Sequence, residues 1–333
     1  MKTDFSRYTG LIRENLQKGK KRGSLLKGAS NDQEFMNAVN KLSLNDKGRD
    51  EDFFNSLHEL TGITGKVAKY HQPPGLHPDF GHIKLSATPE YHYITSMFVD
   101  ISKSTKLFEK YYPPTVVNIT TAIQRAAIHI AWYFDGYVQR YHGDGLLLYF
   151  GGKNISPEES VQNAIMAACI FTKFVKEELP EIFLEQGIEN IYTRIGIDVG
   201  DHEDTLWYLA GMDQCSEVTT CSLHTSLAAH MQGNARRNGI VVGDNVKSKS
   251  GYNSEYFSII KDSSGKEDRY IFRIPEENFY YTQWALDWEG FLKNQEKEST
   301  SSINASGTLI KNNDKNMDYL RTQAAAIKPY GYE

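Results

Sequence analysis

The sequence YITSMFVDISKST, residues 93–105, carries the first half of the pattern that decides the fold. In it, an apolar, strand-like run ends in Asp100, and a polar turn that can open a helix follows. The second half is YVQRYHGDGLLLYF, residues 137–150, in which two strand-like runs meet at a Gly-Asp-Gly hairpin signal around Asp144. The sequence therefore predicts two aspartates at the open ends of apolar strands.

These two carboxylates together predict a metal site. Desolvating a pair of neighbouring carboxylates costs on the order of several kcal/mol each, and their mutual repulsion adds to that cost. A divalent cation removes the cost, and hard oxygen ligands suit magnesium or manganese. The turn after Asp100 is in addition a natural seat for phosphate oxygens.

Three motifs, in order and with agreeing spacing, resemble those of class III nucleotidyl cyclase catalytic domains. The family's first metal motif, roughly Phe-x-Asp-Ile-x-x-x-Thr, is matched by FVDISKST at residues 98–105. Its Gly-Asp hairpin is matched by Gly143 and Asp144, and its Arg-x-Gly-Ile strand by RIGIDVG at residues 194–200. The resemblance covers about residues 88 to 250.

The order of predicted elements gives an α+β fold: a ferredoxin-like (split βαβ) class III cyclase domain with its helices on one face of the sheet. We expect a helical N-terminal extension and linker over residues 1–85, the catalytic domain over residues 86–275, and a C-terminal helix with a mobile tail over residues 276–333.

Within this frame, four details are specific enough to be checked. Residues 205–210 are expected to pair with the strand 192–199, and residues 220–235 to form a helix. Residues 256–260 and 270–274 are expected to form a late hairpin. Residues 279–292, with aromatic side chains four apart, are expected to form an amphipathic helix.

Composition limits the function classes. A net charge of −5 argues against broad nucleic-acid binding, and a hydrophobic content of 40% supports a real core. No apolar run approaches about 18 residues, so no membrane-spanning segment is expected. Three cysteines without a Cys-x-x-Cys pair suit reduced thiols. These features predict a soluble, cytoplasmic protein.

The resemblance implies how the metal site works. Asp100 and Asp144, with the backbone carbonyl of Ile101, would hold two Mn²⁺ or Mg²⁺ ions, as in two-metal phosphoryl-transfer sites. The ribose 3′-hydroxyl of a nucleoside triphosphate would attack the α-phosphorus and expel pyrophosphate, a reaction that depends on positioning and charge stabilisation. Alternatively, Asp100 caps a helix and Asp144 fills a turn.

Other residues near these motifs are candidates for nucleotide contacts. Phe98 is placed to line a nucleotide pocket, although core packing explains it equally well. Ser102, Ser104 and Thr105 supply donors for phosphates, with helix capping as their alternative role.

Four positions depart from the purine cyclases of the family. Where adenylyl cyclases carry a base-reading lysine and aspartate, this chain has Arg140 and Thr219. Where they carry asparagine and arginine on the following helix, it has Ser226 and His230. An Arg with a short hydroxyl does not reproduce the geometry that reads adenine, and guanylyl cyclases, with Glu and Cys, do not match either.

The departures resemble those of the bacterial pyrimidine cyclases of Pycsar antiphage systems. The leading hypothesis is therefore a lyase that converts CTP or UTP to the 3′,5′-cyclic monophosphate, with Tyr93 and Arg140 as candidate contacts to base or phosphate. His230 is a candidate for the missing arginine's charge. Alternatives are an adenylyl or guanylyl cyclase with unusual base readout, and a catalytically silent interaction module.

In the family the site lies between two head-to-tail protomers. The resemblance therefore implies a homodimer in which one chain supplies Asp100 and Asp144 and the other supplies the four departing positions. It also implies that the cyclic nucleotide product acts on a separate effector in antiphage defence, by abortive infection.

Overall fold

The computed structural model describes Arg13 and residues 73–185, 187–261 and 264–295. Most of the predicted helical extension and linker, and the tail beyond residue 295, lie outside the described residues. The chain divides into two compact units, Met1–Glu289 and Gly290–Glu333. In the second unit the described residues, 290–295, are helical. All elements named below belong to the first unit.

Eleven strands and seven α-helices are bounded in the described part of the first unit. The strands are β1 (Glu90–Tyr91), β2 (Ile94–Ile101), β3 (Gly136–His142), β4 (Gly145–Phe150), β5 (Thr193–Gly200), β6 (Thr205–Met212), β7 (Cys215–Ser222), β8 (Gly239–Gly243), β9 (Phe257–Ile259), β10 (Tyr270–Ile274) and β11 (Phe279–Leu286). The helices are α1 (Ile83–Ser86), α2 (Leu107–Lys110), α3 (Pro113–Tyr133), α4 (Pro157–Lys173), α5 (Leu179–Glu185), α6 (Leu223–Asn234) and α7 (Asp244–Lys249).

The main sheet has the strand order β10-β11-β8-β5-β2-β4-β3, with β9 also paired to β11. Within it, β5-β2-β4-β3 is the antiparallel order of a ferredoxin-like βαββαβ unit, with α3 and α4 as its two helices. The predicted split βαβ fold is therefore confirmed. A second, smaller sheet has the order β1-β6-β7.

Helix α3 begins at Pro113, because proline is tolerated in the first turn, where its missing N–H is not needed. Its apolar stripe faces the sheet. The stripe residues Ile119, Ile123, Ala126, Ala127, Ile130 and Ala131 are all buried. Together with α4, this helix covers one face of the sheet.

The expectation that all helices lie on one face is wrong, because α6 packs on the opposite face, over β5, β2 and β8. Gly196 of β5 makes this possible. A Cβ atom at Gly196 would lie 2.0 Å from the carbonyl oxygen of Ala228 in α6. The close approach of this helix to the sheet therefore needs a glycine.

Two expected strand pairings are wrong. Strand β6 pairs with β1 and β7 rather than with β5, because both edges of β5 are already taken by β2 and β8. Strands β9 and β10 do not form a hairpin with each other. Each pairs instead with a different part of β11, on the edge of β11 that faces away from β8. Between the end of β9 and the start of β10, the chain forms only an isolated bridge, from Lys261 to Glu267.

Two expected helices are also wrong in part. Residues 220–222 complete strand β7, whose Val and Thr side chains favour extended structure, and the helix begins only at Leu223. The predicted helix over 279–292 is strand β11 from Phe279 to Leu286, a run rich in aromatic residues. The spacing of Trp284 and Trp288 misled the prediction, because Trp288 lies beyond the end of the strand.

Candidate active site

The sheet brings Asp100 and Asp144 together. Strand β2 pairs with β4 as far as Val99 and Leu146, so the end of β2 lies beside the β3–β4 hairpin tip. The backbone N–H of Ile101 donates to Oδ2 of Asp144 at 3.3 Å. Two carboxylates that are 44 positions apart in the sequence thus lie at one end of neighbouring strands.

The glycines of the hairpin tip make this proximity possible. A Cβ atom at Gly145 would lie 2.5 Å from the carbonyl oxygen of Val99 and 3.5 Å from Cα of Asp100. Gly143 has φ +62°, in the left-handed region that glycine adopts without strain. The Gly-Asp-Gly sequence therefore serves both the turn and the close approach to β2.

The surroundings of Asp144 disfavour its negative charge. Burial raises the pKa of the Asp144 carboxyl, and the nearby charge of Asp100 raises it further. Hydrogen bonds from the Ser104 hydroxyl and the Ile101 N–H act in the opposite direction without cancelling the shift. A bound cation would supply the missing favourable interaction, and the two carboxylates are hard oxygen donors of the kind that Mg²⁺ and Mn²⁺ prefer.

Asp100, in contrast, is already paired within the chain. Its Oδ2 atom accepts from Nη2 of Arg194 at 2.6 Å and from Nε2 of Gln232 at 3.0 Å. Strand register explains the first contact, since Asp100 lies directly opposite Arg194 across β2 and β5. The cost of burying the Asp100 carboxylate is therefore offset in part by Arg194.

The turn after Asp100 is hydrogen-bonded to Tyr192, the residue that precedes strand β5. The N–H of Ser102 donates to the carbonyl of Tyr192 at 2.7 Å, so this N–H is committed to the protein. Ser104 faces Asp144, and Thr105 is exposed in the same turn. Phe98 is partly buried and packs on the cluster formed around Trp207, as the core-packing alternative expected.

Arg140 forms an ion pair with Glu217. Its Nε atom donates to Oε2 of Glu217 at 3.1 Å, and Nη2 contacts the other carboxylate oxygen. The pair joins β3 to β7 across the surface, with 46% and 28% of the two side chains exposed. Arg140 is thus held in place, with part of its guanidinium open to solvent.

The other three departing positions lie on β7 and α6. Thr219 is buried beside Tyr149, whose hydroxyl it contacts. Ser226 and His230 are exposed on α6, one helical turn apart, and the Ser226 hydroxyl donates to the carbonyl of Ser222.

Tyr93 has a structural role within this chain. It is 2% exposed, and its hydroxyl donates to the carbonyls of Ile155 and Gly152. Burial raises the pKa of Tyr93 to about 12. Because this hydroxyl is already used in the loop after β4, the structure does not bring Tyr93 to the aspartate pair.

Three contact residues carried no assigned role in the sequence analysis. Arg194 had a usable signal, because it begins the Arg-x-Gly-Ile strand and the register places it opposite Asp100. Gln232 and Glu217 had none, since their contacts depend on how α6 and β7 pack against the sheet.

Two features are absent from the described residues. No group of three or more His, Cys, Asp or Glu side chains in residues 73–185, 187–261 and 264–295 is arranged to hold a metal ion. Among the helices of the same part of the chain, none combines the length and apolar character needed to cross a lipid bilayer.

Comparison with curated proteins finds cytidylate cyclases. The chain is 35% identical over 270 residues to a cytidylate cyclase of Staphylococcus aureus, covering 79% of this chain and 63% of that protein. It is 32% identical over 249 residues to a cytidylate cyclase of Escherichia coli, covering 73% of this chain and 53% of that protein. The chain thus spans less than two thirds of the length of either relative. No protein-family model matches the chain.

Among solved structures, the adenylyl cyclase CyaB from P. aeruginosa aligns with a TM-score of 0.50 at 16% sequence identity, over 60% of this chain and 95% of that chain. At this identity the match shows the fold alone. Together, the comparisons confirm the predicted resemblance to class III nucleotidyl cyclases, and to pyrimidine cyclases among them.

Proposed function

We propose that this chain is a metal-dependent pyrimidine nucleotide cyclase that converts CTP, or UTP, to the 3′,5′-cyclic monophosphate and pyrophosphate. The observation that carries the proposal is the meeting of Asp100 and Asp144 at one end of β2 and β4, joined through the Ile101 N–H. The resemblance to cytidylate cyclases over most of this chain supports CTP before UTP.

The residues present fit the metal ions that such a reaction needs. Asp100, Asp144 and the carbonyl of Ile101 would hold two Mn²⁺ or Mg²⁺ ions. When bound, such ions would lower the pKa of the ribose 3′-hydroxyl and neutralise charge on the triphosphate. The protein orients Asp100 through Arg194 and Gln232, and it holds Asp144 in place through the Ile101 N–H and Ser104.

The turn over residues 102–105 would bind the phosphates. Ser102, Ser104 and Thr105 lie immediately beyond Asp100, with Ser104 already beside Asp144. The proximity of this turn to the carboxylate pair supports a position for the α-phosphorus next to the metal ligands.

A homodimer completes the proposal. Arg140 and Thr219 lie on β3 and β7, and Ser226 and His230 are exposed on α6. A second, head-to-tail copy would bring these residues to the nucleotide held by Asp100 and Asp144 of the first. Arg140, fixed by Glu217, would contact the base, and His230 would supply positive charge to the phosphates.

The biological part of the proposal is that the cyclic nucleotide is a second messenger in antiphage defence and acts on a separate effector. The resemblance to the pyrimidine cyclases of such systems supports it. The three cysteines are free thiols in the structure, which suits the reducing cytoplasm as the place of action.

Product identification tests the activity. The purified protein is incubated with Mn²⁺ and each of the four ribonucleoside triphosphates, and products are separated by chromatography and identified by mass. We expect cyclic CMP, with less or no cyclic UMP, and no product from Asp144→Asn. A purine product would instead support an adenylyl or guanylyl cyclase. No product from any of the four would favour the silent interaction module.

A further inference from the structure

We propose that a cleft next to the turn over residues 102–105 is a second anion site, which binds the di- or triphosphate group of a small ligand without metal. The cleft has a volume of about 600 Å³ and lies between the segment 102–111 and the segment 184–192. Its lining includes Lys103, Lys106, Lys110, Tyr111, Tyr192 and Arg237. Neither Asp100 nor Asp144 lines it, but Ser102 and Lys103 do, so the cleft begins at the turn proposed to bind the substrate's phosphates and the inference rests on the proposed function.

Hydrogen bonds at both ends fix the two walls of the cleft. At the end nearest the carboxylates, the Ser102 N–H donates to the Tyr192 carbonyl at 2.7 Å. At the other end, the Glu189 N–H donates to the Tyr111 hydroxyl at 2.8 Å. Because the walls are joined at both ends, the cleft exists before any ligand binds.

The charge lining the cleft is strongly positive. The lining contains four cationic side chains and one carboxylate, Glu189. That carboxylate is already paired with Nζ of Lys110 at 2.5 Å. In the part of the chain that the structure describes, no carboxylate forms an ion pair with Lys103, Lys106 or Arg237. The chain as a whole carries a net charge of −5, so the positive charge is local to this cleft. A local concentration of positive charge of this kind attracts a small anion.

Two of these cations are held in defined positions. The Arg237 guanidinium lies over the Tyr192 ring, 4.7 Å from its centroid, and this cation–π contact restricts the position of its side chain. Lys103 has φ +61°, a left-handed conformation that costs a residue with a side chain roughly 1 kcal/mol or more. Strained conformations of this kind cluster at active sites and ligand-binding positions.

The ligand chemistry follows from the lining. Guanidinium and ammonium groups suit phosphate oxygens, and several cations spread along one cleft suit a chain of two or three phosphates better than a single one. A volume of about 600 Å³ also lies in the range of small-molecule sites. Two sources share this chemistry, free pyrophosphate and a nucleoside triphosphate.

Isothermal titration of the full chain in EDTA tests the proposal with pyrophosphate and CTP as separate probes. We expect one binding event per chain for pyrophosphate. The double variant Lys106→Glu with Arg237→Glu should weaken it at least tenfold. Lys84→Glu, a reversal of an exposed lysine on α1, should leave it unchanged. If the double variant does not fold, Lys106→Gln and Arg237→Gln are measured singly, each with an expected loss of at least threefold.

The outcome is separable from that of the proposed cyclase activity. Asp144→Asn should abolish product formation but leave metal-free pyrophosphate binding unchanged. If CTP binds no tighter than pyrophosphate, the phosphates alone are recognised; if it binds tighter, the nucleotide is the ligand, and both results support the site. Binding that requires Mn²⁺, is lost in Asp144→Asn, or is equally weakened by Lys84→Glu would overturn it.

Discussion

Gln232 donates from Nε2 to Oδ2 of Asp100 at 3.0 Å, so helix α6 holds the carboxylate at the end of β2. The same oxygen accepts from Arg194 at 2.6 Å, which leaves Oδ1 of Asp100 as the oxygen open to a cation. Because α6 also exposes Ser226 and His230, the same helix contacts the proposed metal ligand of its own chain and carries part of the surface proposed to face a second copy.

Replacing Gln232 by leucine should weaken metal binding without unfolding the protein. The side chain donates one of two hydrogen bonds that orient Asp100, and loss of such a partner costs about 10- to 100-fold in metal affinity. We therefore expect the Mn²⁺ concentration for half-maximal activity to rise by about tenfold. Activity at saturating Mn²⁺ should fall less.

A matched control removes a glutamine hydrogen bond elsewhere. Gln162 of α4 donates to the Ser250 carbonyl at 3.0 Å. Neither residue is a proposed metal ligand or neighbours one in the sequence, so Gln162→Leu should leave the Mn²⁺ dependence unchanged. Equal effects of the two substitutions would show that Gln232 contributes only to general stability.

The sequence was sufficient for the elements that carry strong local signals. Asp100 ends an apolar strand-like run, and Asp144 lies at a Gly-Asp-Gly hairpin tip. The resemblance of these motifs to the cyclases predicted that both carboxylates belong to one site, and the pairing of β2 with β4 brings them to one end of the sheet.

The rest depended on packing that no local pattern encodes. Strand β11 was misread because aromatic residues four apart satisfy a helical period by chance, while pairing to β8, β9 and β10 decides its conformation. The contacts of Gln232 and Glu217 arise only once α6 and β7 have docked. When the partner of a residue lies about 80 to 130 positions away, the sequence around that residue does not indicate the contact.

Asp144→Asn should stabilise the metal-free protein while abolishing activity. The raised pKa of Asp144 means that the folded state disfavours its charge, so an uncharged amide removes that penalty near neutral pH. We expect a higher Tm in EDTA, no further rise on adding Mn²⁺, and a loss of activity of roughly 10³-fold. Wild-type protein should instead gain Tm with Mn²⁺. A lower Tm for the variant in EDTA would contradict this account of the site's electrostatics.

The ion pair between Arg140 and Glu217 should matter for turnover more than for stability. Exposed pairs contribute about 0 to 1 kcal/mol to folding, whereas a charge-assisted hydrogen bond to substrate is worth about 10- to 100-fold in kcat/KM. We expect Arg140→Ala to lower kcat/KM for CTP within that range with little change in Tm.

Exchange of the two charges distinguishes pairing from substrate contact. Arg140→Glu with Glu217→Arg should restore the ion pair and keep the wild-type Tm while leaving kcat/KM low. Recovery of kcat/KM in the exchanged variant would show that Arg140 acts only through its pairing with Glu217.

Gly145 and Gly143 provide a matched pair at the hairpin tip. Gly145→Ala places a Cβ atom 2.5 Å from the Val99 carbonyl oxygen, which should cost about 1 to 3 kcal/mol and push the tip away from β2. Gly143→Ala meets no atom within 4 Å and should cost only about 1 kcal/mol of backbone strain. Mn²⁺ affinity, measured by titration, should fall for Gly145→Ala and stay unchanged for Gly143→Ala. The reverse order would contradict the geometry of the tip.

A buried polar network anchors the first turn of α6. Nδ1 of His224 lies 2.9 Å from Oδ2 of Asp198, and the Tyr281 hydroxyl donates to the other carboxylate oxygen at 2.7 Å. Burial raises the pKa of Asp198 and would alone lower that of His224. The hydrogen bond and charge of Asp198, helped by the charges of Asp204 and Asp201, outweigh burial and raise the pKa of His224.

This network should make the free energy of unfolding fall with rising pH above neutrality. Because the folded state binds the His224 proton more tightly than the unfolded state, the stabilisation is complete below the ordinary pKa of 6.5 and is lost as pH rises through the raised value. The raised pKa of Asp198 acts in the same direction at lower pH. Urea unfolding at pH 6, 7 and 8 should show a slope of at most about 1.4 kcal/mol per pH unit. His224→Gln, which keeps a donor but cannot titrate, should flatten it; an unchanged slope would place the titration elsewhere.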